Sequence, residues 1–241
     1  MGDFFKWSRV WEYFPKILSK FPITLEIVLG SFAIGLVLGS IIALIKINKI
    51  PVLCQLGSIY ISYIRGTPIL VQLFIAYYGI PVFVNSVLHI DVNGWDKMVY
   101  VYMAYGFNQA GFLAEIIRGA IISVDAVQTE AGYSVGMTGA QTFFRIVLPQ
   151  ATRIALPPMG TTFITLFRST ALAYMLGIMD IMGKAKNLGV TTFHTLEGYV
   201  DATIIFVITS IILEQIFNLL NKRLDYGKGR VVKQRKEVAA K

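Results

Sequence analysis

One cysteine, Cys54, two histidines and only 15% charged residues limit what this 241-residue chain can do. A lone thiol excludes an internal disulfide. His89 and His194 stand apart from any acidic or cysteine cluster at ligand spacing, so no metal is assigned. The phosphate loop G-x-x-x-x-G-K-[ST] is missing, so ATP chemistry would need a separate chain. No nucleophile–base pair marks an enzyme, and no cofactor is expected in this chain. There is no internal repeat at a period of about 20–50 residues and no low-complexity block. Residues 1–20 mix charges with aromatics and lack a continuous apolar core, so they are not read as a signal peptide.

What is present is apolar. Hydrophobic residues make up 55% of the chain and mean hydropathy is +0.63, whereas soluble domains carry about 25% charged residues. The composition is that of an all-α membrane protein with one bundle. A spanning helix needs about 20 mostly apolar residues. Five segments qualify: 23–45, 68–87, 98–122, 154–178 and 200–220. Pro68 suits a helix start, where its missing N–H does no harm. Residues 1–22, "MGDFFKWSRVWEYFPKILSKFP", alternate aromatics with cations, as in an interfacial segment. The membrane-spanning core is then 23–222, with a mid-chain loop at 123–150 and a basic tail at 223–241.

Charge orients the five spans. Lys46, Lys49 and Arg65 follow the first, and Arg118, Arg145 and Arg153 gather at and after the end of the third. Eight more Lys or Arg lie in the tail, "NKRLDYGKGRVVKQRKEVAAK". The opposite side holds half as many. Cytoplasmic loops collect Lys and Arg, so the tail and the mid-chain loop are inside and the N-terminus is outside. The net charge of +8 therefore faces anionic lipid rather than nucleic acid.

The mid-chain loop, "EAGYSVGMTGAQTFFRIVLPQA", is polar and glycine-punctuated. Asp125 with Gln128, and Thr138 with Gln141, have the spacing of helix N-terminal caps. Gly136 suits a helix end, and Pro149 closes the second run. Two short helices, 126–135 and 139–147, are expected, with a bend at Gly136. Ala131, Gly132 and Gly136 would leave a bare surface, with Phe143 and Phe144 as apolar anchors. Such a hairpin is either a docking knob or a solvated loop.

Polar groups inside the spans are costly and normally face a bundle interior or a wet cavity. Asn108 and Gln109 in the third span either meet a zwitterionic ligand or bond between helices. Glu115 and Arg118 share a helix face and can pair; Glu115 is also a candidate for ligand contact. Arg168 offers a planar fork that matches a carboxylate. It can bind that ligand, pair with Glu115 or line a gate. Ser169 and Thr170 either contact the ligand or bond back to helix carbonyls. Asp180 is expected to be a solvated outer-loop residue.

The spacing Glu130-Ala131-Gly132, Gly136, Ile146, Leu148-Pro149 resembles the EAA loop of bacterial ABC importer permeases. "YIRGTPILVQLFIAYYGIP", "FLAEIIRGAI" and "LFRSTALA" resemble the second, third and fourth helices of the polar amino acid permeases, the histidine permease group. The similarity runs over 24–224. It implies a type I ABC importer permease bundle of five transmembrane helices with a cytoplasmic coupling helix, in the bacterial inner membrane. It implies ATPase docking through Gln128, Glu130, Ala131, Gly132, Gly136, Phe143, Leu148 and Pro149. It also implies an ATPase dimer carrying ATP and Mg, a solute-binding protein outside, and a second permease subunit, identical or homologous. One bundle is in any case too thin to enclose a path. Two departures stand out. Val127-Gln128 replaces the usual Gly-Gln, and Arg168-Ser169-Thr170-Ala171 replaces Lys, then Asp or Asn, then Thr-Ser. Without that acidic or amide group, a neutral polar amino acid is expected as cargo, cystine favoured, with a cationic one as the alternative. An ion-coupled secondary transporter with Glu115 as its proton site is the competing class; such proteins usually carry internal repeats.

Overall fold

The computed structural model describes residues 5–224, and within them every regular element is helical. The basic tail lies almost wholly outside the described residues. Helix α1 (Trp7–Leu18) is amphipathic: Val10, Tyr13 and Ile17 are buried, while Trp7 and Trp11 are 66% and 77% exposed. Helix α2 (Phe21–Ile47) starts with Pro22 in its first turn and runs for 27 residues. A tight turn, with Lys49 and Val52 in the left-handed region, leads to α3 (Leu53–Gly66). Thr67 is extended ahead of Pro68, which breaks the path before α4 (Ile69–Leu88).

Helix α5 (Lys97–Ile122) is capped by Asp96, whose side chain accepts from the Met98 N–H at 2.8 Å. The mid-chain hairpin follows as α6 (Ala126–Ser134) and the start of α7 (Gly139–Leu176). Helix α8 (Ile181–Thr192) and α9 (Thr195–Leu224) complete the bundle.

Among the described residues three helices are long and apolar enough to cross a membrane: α2, α4 and α9. α7 with α8, bent by 47°, counts as a fourth when the pair is taken as one span. The third expected span, α5, is 26 residues long but carries Asn108, Gln109, Glu115 and Arg118. Its polarity is hidden because it is the central helix. α2 lies along it through small residues: a Cβ on Gly35 would overlap Gln109, and one on Gly39 would sit 3.0 Å from the Ala110 carbonyl oxygen. Small residues let membrane helices approach closely where lipid gives no hydrophobic drive. Around α5 the core gathers Val28, Leu73, Tyr105, Phe163 and Phe167.

The structure corrects three expectations. α3 and α8 are helices where loops were read, because their shorter apolar patterns fall below spanning length. The second loop helix does not stop at 147. It passes through a π-helical turn, Phe143–Val147, directly into the span, and Pro149 sits in the first turn after it, where its missing N–H is tolerated. Asp180 is not solvated. It is fully buried, and its Oδ1 accepts from the Gly183 N–H at 2.8 Å to start α8.

Candidate functional site

The hairpin between α5 and α7 is built by its own caps. Asp125 accepts from the Val127 N–H at 3.0 Å. Thr138 and Gln141 form both halves of a capping box: the Gln141 N–H donates to Thr138 Oγ1 at 3.3 Å, and the Thr138 N–H to Gln141 Oε1 at 3.0 Å. Gln128 does not complete a box with Asp125; its Oε1 accepts from Gln150 Nε2 at 3.3 Å and ties α6 to α7. Gly136 has φ +78° with open space where a Cβ would stand, so backbone conformation alone requires glycine there. Gly132 is not part of a bare surface. It is buried, and a Cβ there would meet Thr142 at 2.8 Å. Its smallness lets α6 close onto α7. Glu130 and Ala131 are exposed, Phe143 and Leu148 half-buried, and Pro149 exposed. Val127, Tyr133, Val135 and Phe144 give the hairpin an exposed apolar surface.

The polar residues of α5 are engaged with protein. Asn108 donates to Gln72 Oε1 at 3.0 Å, and Gln109 donates to Asn108 Oδ1 at 3.4 Å. Gln72 passes the chain on to the Ile64 carbonyl and Thr67 Oγ1 at 3.0 and 2.8 Å. This amide relay braces the α3–α4 break, where Pro68 leaves carbonyls without helical partners. Glu115 is held from two sides: Lys46 Nζ lies 2.6 Å from one oxygen and Arg118 2.7 Å from the other. It pins the end of α2 to α5.

Arg168 does not reach Glu115. Its Nε donates to Ser210 on α9 at 3.2 Å, and it borders a cleft of about 340 Å³ together with Tyr199, Ser210 and Glu214. No bridge joins Arg168 to Glu214, although both line the same cleft. Ser169 and Thr170 bond back to the carbonyls of Thr165 and Phe167 at 2.9 and 2.6 Å. Tyr105 donates to the Ser169 carbonyl at 2.6 Å, fixing α7 on α5 as its last turns tighten to a 3₁₀ helix.

Sequence reasoning missed Gln72, Ser210 and Glu214 as members of these constellations. Each lies in a run that reads as ordinary spanning sequence, and only folding brings it against its partner. It also placed Arg65 in a loop; the structure sets it in the last turn of α3. Among the described residues no group of His, Cys, Asp or Glu is arranged to hold a metal.

Residues 13–226 match the family of binding-protein-dependent transport system inner membrane components. The chain belongs to that family. This permease is 39% identical over 232 residues to the L-cystine transport system permease protein TcyL of Bacillus subtilis (strain 168), covering 96% of this chain and 97% of that one. It is 32% identical over 210 residues to the arginine transport system permease protein ArtQ of the same organism, with 87% and 93% covered. Its fold superposes on a chain from a crystal structure of an amino acid ABC transporter with histidines, TM-score 0.79 at 29% identity, covering 90% of this chain and 98% of that chain. It is thus an amino acid ABC importer permease, a multi-pass protein of the inner membrane.

Proposed function

We propose that this permease carries a neutral polar amino acid, cystine favoured, inward across the membrane at the expense of ATP hydrolysed by a separate ATPase dimer. The observation that carries the cargo class is the Arg168–Glu214 cleft. It presents a cation and an anion that are not spent on each other, which suits the carboxylate and ammonium of one zwitterion. Asn108, Gln109 and Glu115 serve this purpose less well, since protein groups already use them. The likeness to TcyL supports cystine; the likeness to ArtQ supports a cationic amino acid as the second candidate.

Coupling runs through the 130–149 loop, with Gln128 at its base. Its exposed Val127, Tyr133, Val135 and Phe144 offer an apolar surface to the ATPase. The π turn at Phe143–Val147, within α7, carries that surface into the spanning part of the helix without a flexible linker. A push on the hairpin is therefore a push on the helix that bears Arg168. A second bundle, identical or homologous, faces the first across the path, and a solute-binding protein delivers cargo from outside, the side of the N-terminus. ATP and Mg belong to the ATPase.

The test is co-purification with the ATPase and binding protein, followed by ATPase assays across the amino acids. Strongest stimulation by cystine is expected. Stimulation by arginine alone would overturn the neutral-cargo reading, and none by any amino acid would overturn the function.

A further inference from the structure

One stripe of α7 is left uncovered by the single bundle. Ile154, Pro158, Thr161, Thr165 and Arg168 are all exposed, and at about 100° per residue they share one side of the helix. The hydroxyls of Thr161 and Thr165 donate to the carbonyls of Pro157 and Thr161 at 3.3 and 2.9 Å, so the helix itself satisfies them on this exposed face. The outer end of the stripe is the Arg168 cleft. The inner end is a second cleft of about 370 Å³, which Arg65, Phe112 and Glu115 share with Ile154 and Pro158.

Arg65 comes from the last turn of α3, and its guanidinium lies 5.9 Å from the centroid of the Phe112 ring. The aromatic face steadies the planar fork without consuming its hydrogen bonds. No carboxylate among the described residues pairs with Arg65. Glu115, the acid of this cleft, has both oxygens taken by Lys46 and Arg118. Arg65 is exposed at the cleft, and among the described residues no acid balances its charge. An oxyanion is the ligand such a fork fits.

We infer that Arg65 forms a second, inner oxyanion site on the transport path, which takes the amino acid's α-carboxylate after Arg168 releases it. Ile154 and Arg168 mark the two ends of the stripe, about 21 Å apart at 1.5 Å per residue. That separation makes them successive stations rather than one site. The inference rests on the amino acid reading above. It adds that Arg65 acts after cargo has already triggered hydrolysis, so its loss separates uptake from ATP consumption.

The experiment uses the full complex of permease, ATPase and binding protein in proteoliposomes. L-cystine uptake and ATP hydrolysis are measured together for wild type, Arg65→Met and Arg65→Lys. Arg65→Met should keep cargo-stimulated hydrolysis while uptake per ATP falls about tenfold, the loss expected for a charge-assisted hydrogen-bonded contact. Arg65→Lys should recover part of it, because the charge stays and the fork is lost. If Arg65→Met fails to assemble, the Arg65→Lys deficit in uptake per ATP carries the test. Wild-type uptake per ATP in the assembled variants would overturn the proposal. So would native mass spectrometry showing phosphatidylglycerol held by wild type and lost from Arg65→Met with uptake unchanged, which would make this a lipid headgroup site. A wild-type complex stimulated by no amino acid would remove the functional reading itself, a result plainly different from a variant defect.

Discussion

Arg168 and Glu115 are both charges inside a membrane helix, yet their surroundings are opposite. Glu115 is satisfied by Lys46 and Arg118; Arg168, among the described residues, has the Ser210 hydroxyl and an open cleft. Replacing Glu115 with Gln should leave two cations facing each other. Their side chains are 17% and 33% exposed, between the surface and buried cases, so a loss of roughly 1–3 kcal/mol is expected. A lowered midpoint of thermal unfolding in detergent would register it. An unchanged midpoint would mean that the triad contributes nothing to stability. Replacing Arg168 with Met should abolish stimulation of the ATPase by cargo, with partial retention in Arg168→Lys. Full stimulation in the methionine variant would remove Arg168 from the cargo site.

At the scale of elements, the hairpin depends on two glycines for different reasons. Gly136 needs its left-handed backbone, whereas Gly132 needs its lack of a side chain. Gly136→Val places a β-branched residue at φ +78° and should cost about 1–2 kcal/mol locally. The expected outcome is weaker co-purification of the ATPase with the bundle still folded. Normal ATPase recovery and normal transport would show that this bend does not set docking. Gly39→Leu acts elsewhere, by forcing α2 off α5 where a Cβ would lie 3.0 Å from the Ala110 carbonyl oxygen. It should reduce folded yield rather than ATPase affinity, and size-exclusion profiles distinguish the two.

At the scale of the whole molecule, uptake by the reconstituted complex should require ATP and survive collapse of the proton gradient. Uptake by this chain alone, driven by an imposed gradient, would restore the secondary-transporter class with Glu115 as its proton site. The double pairing of Glu115 argues against that role, because a proton carrier must exchange its partner during each cycle and here both oxygens are held.

Much of this was legible before folding. Long apolar runs mark α2, α4 and α9 because lipid demands length and apolarity locally. The capping box at Thr138 and Gln141 is equally local, since both partners lie within one turn. The spacing from Glu130 to Pro149 likewise carries the family resemblance on its own. Other features depend on what each residue meets across the bundle. Asp180 reads as a solvated outer-loop residue and is nevertheless buried at the start of α8. From sequence, Asn108 and Gln109 either meet cargo or bond between helices, and only the fold brings in Gln72, 36 residues from Asn108, as the partner Asn108 bonds to. Arg65 looks like one more inner-loop cation until α3 carries it onto Phe112, with no acid paired to it among the described residues. Sequence determines where the chain tolerates lipid and where helices begin, because those follow from neighbours in the chain. Only tertiary structure decides which polar groups are spent on one another and which stay available to a ligand, because hydrogen-bond partners in this bundle are supplied by helices far apart in sequence.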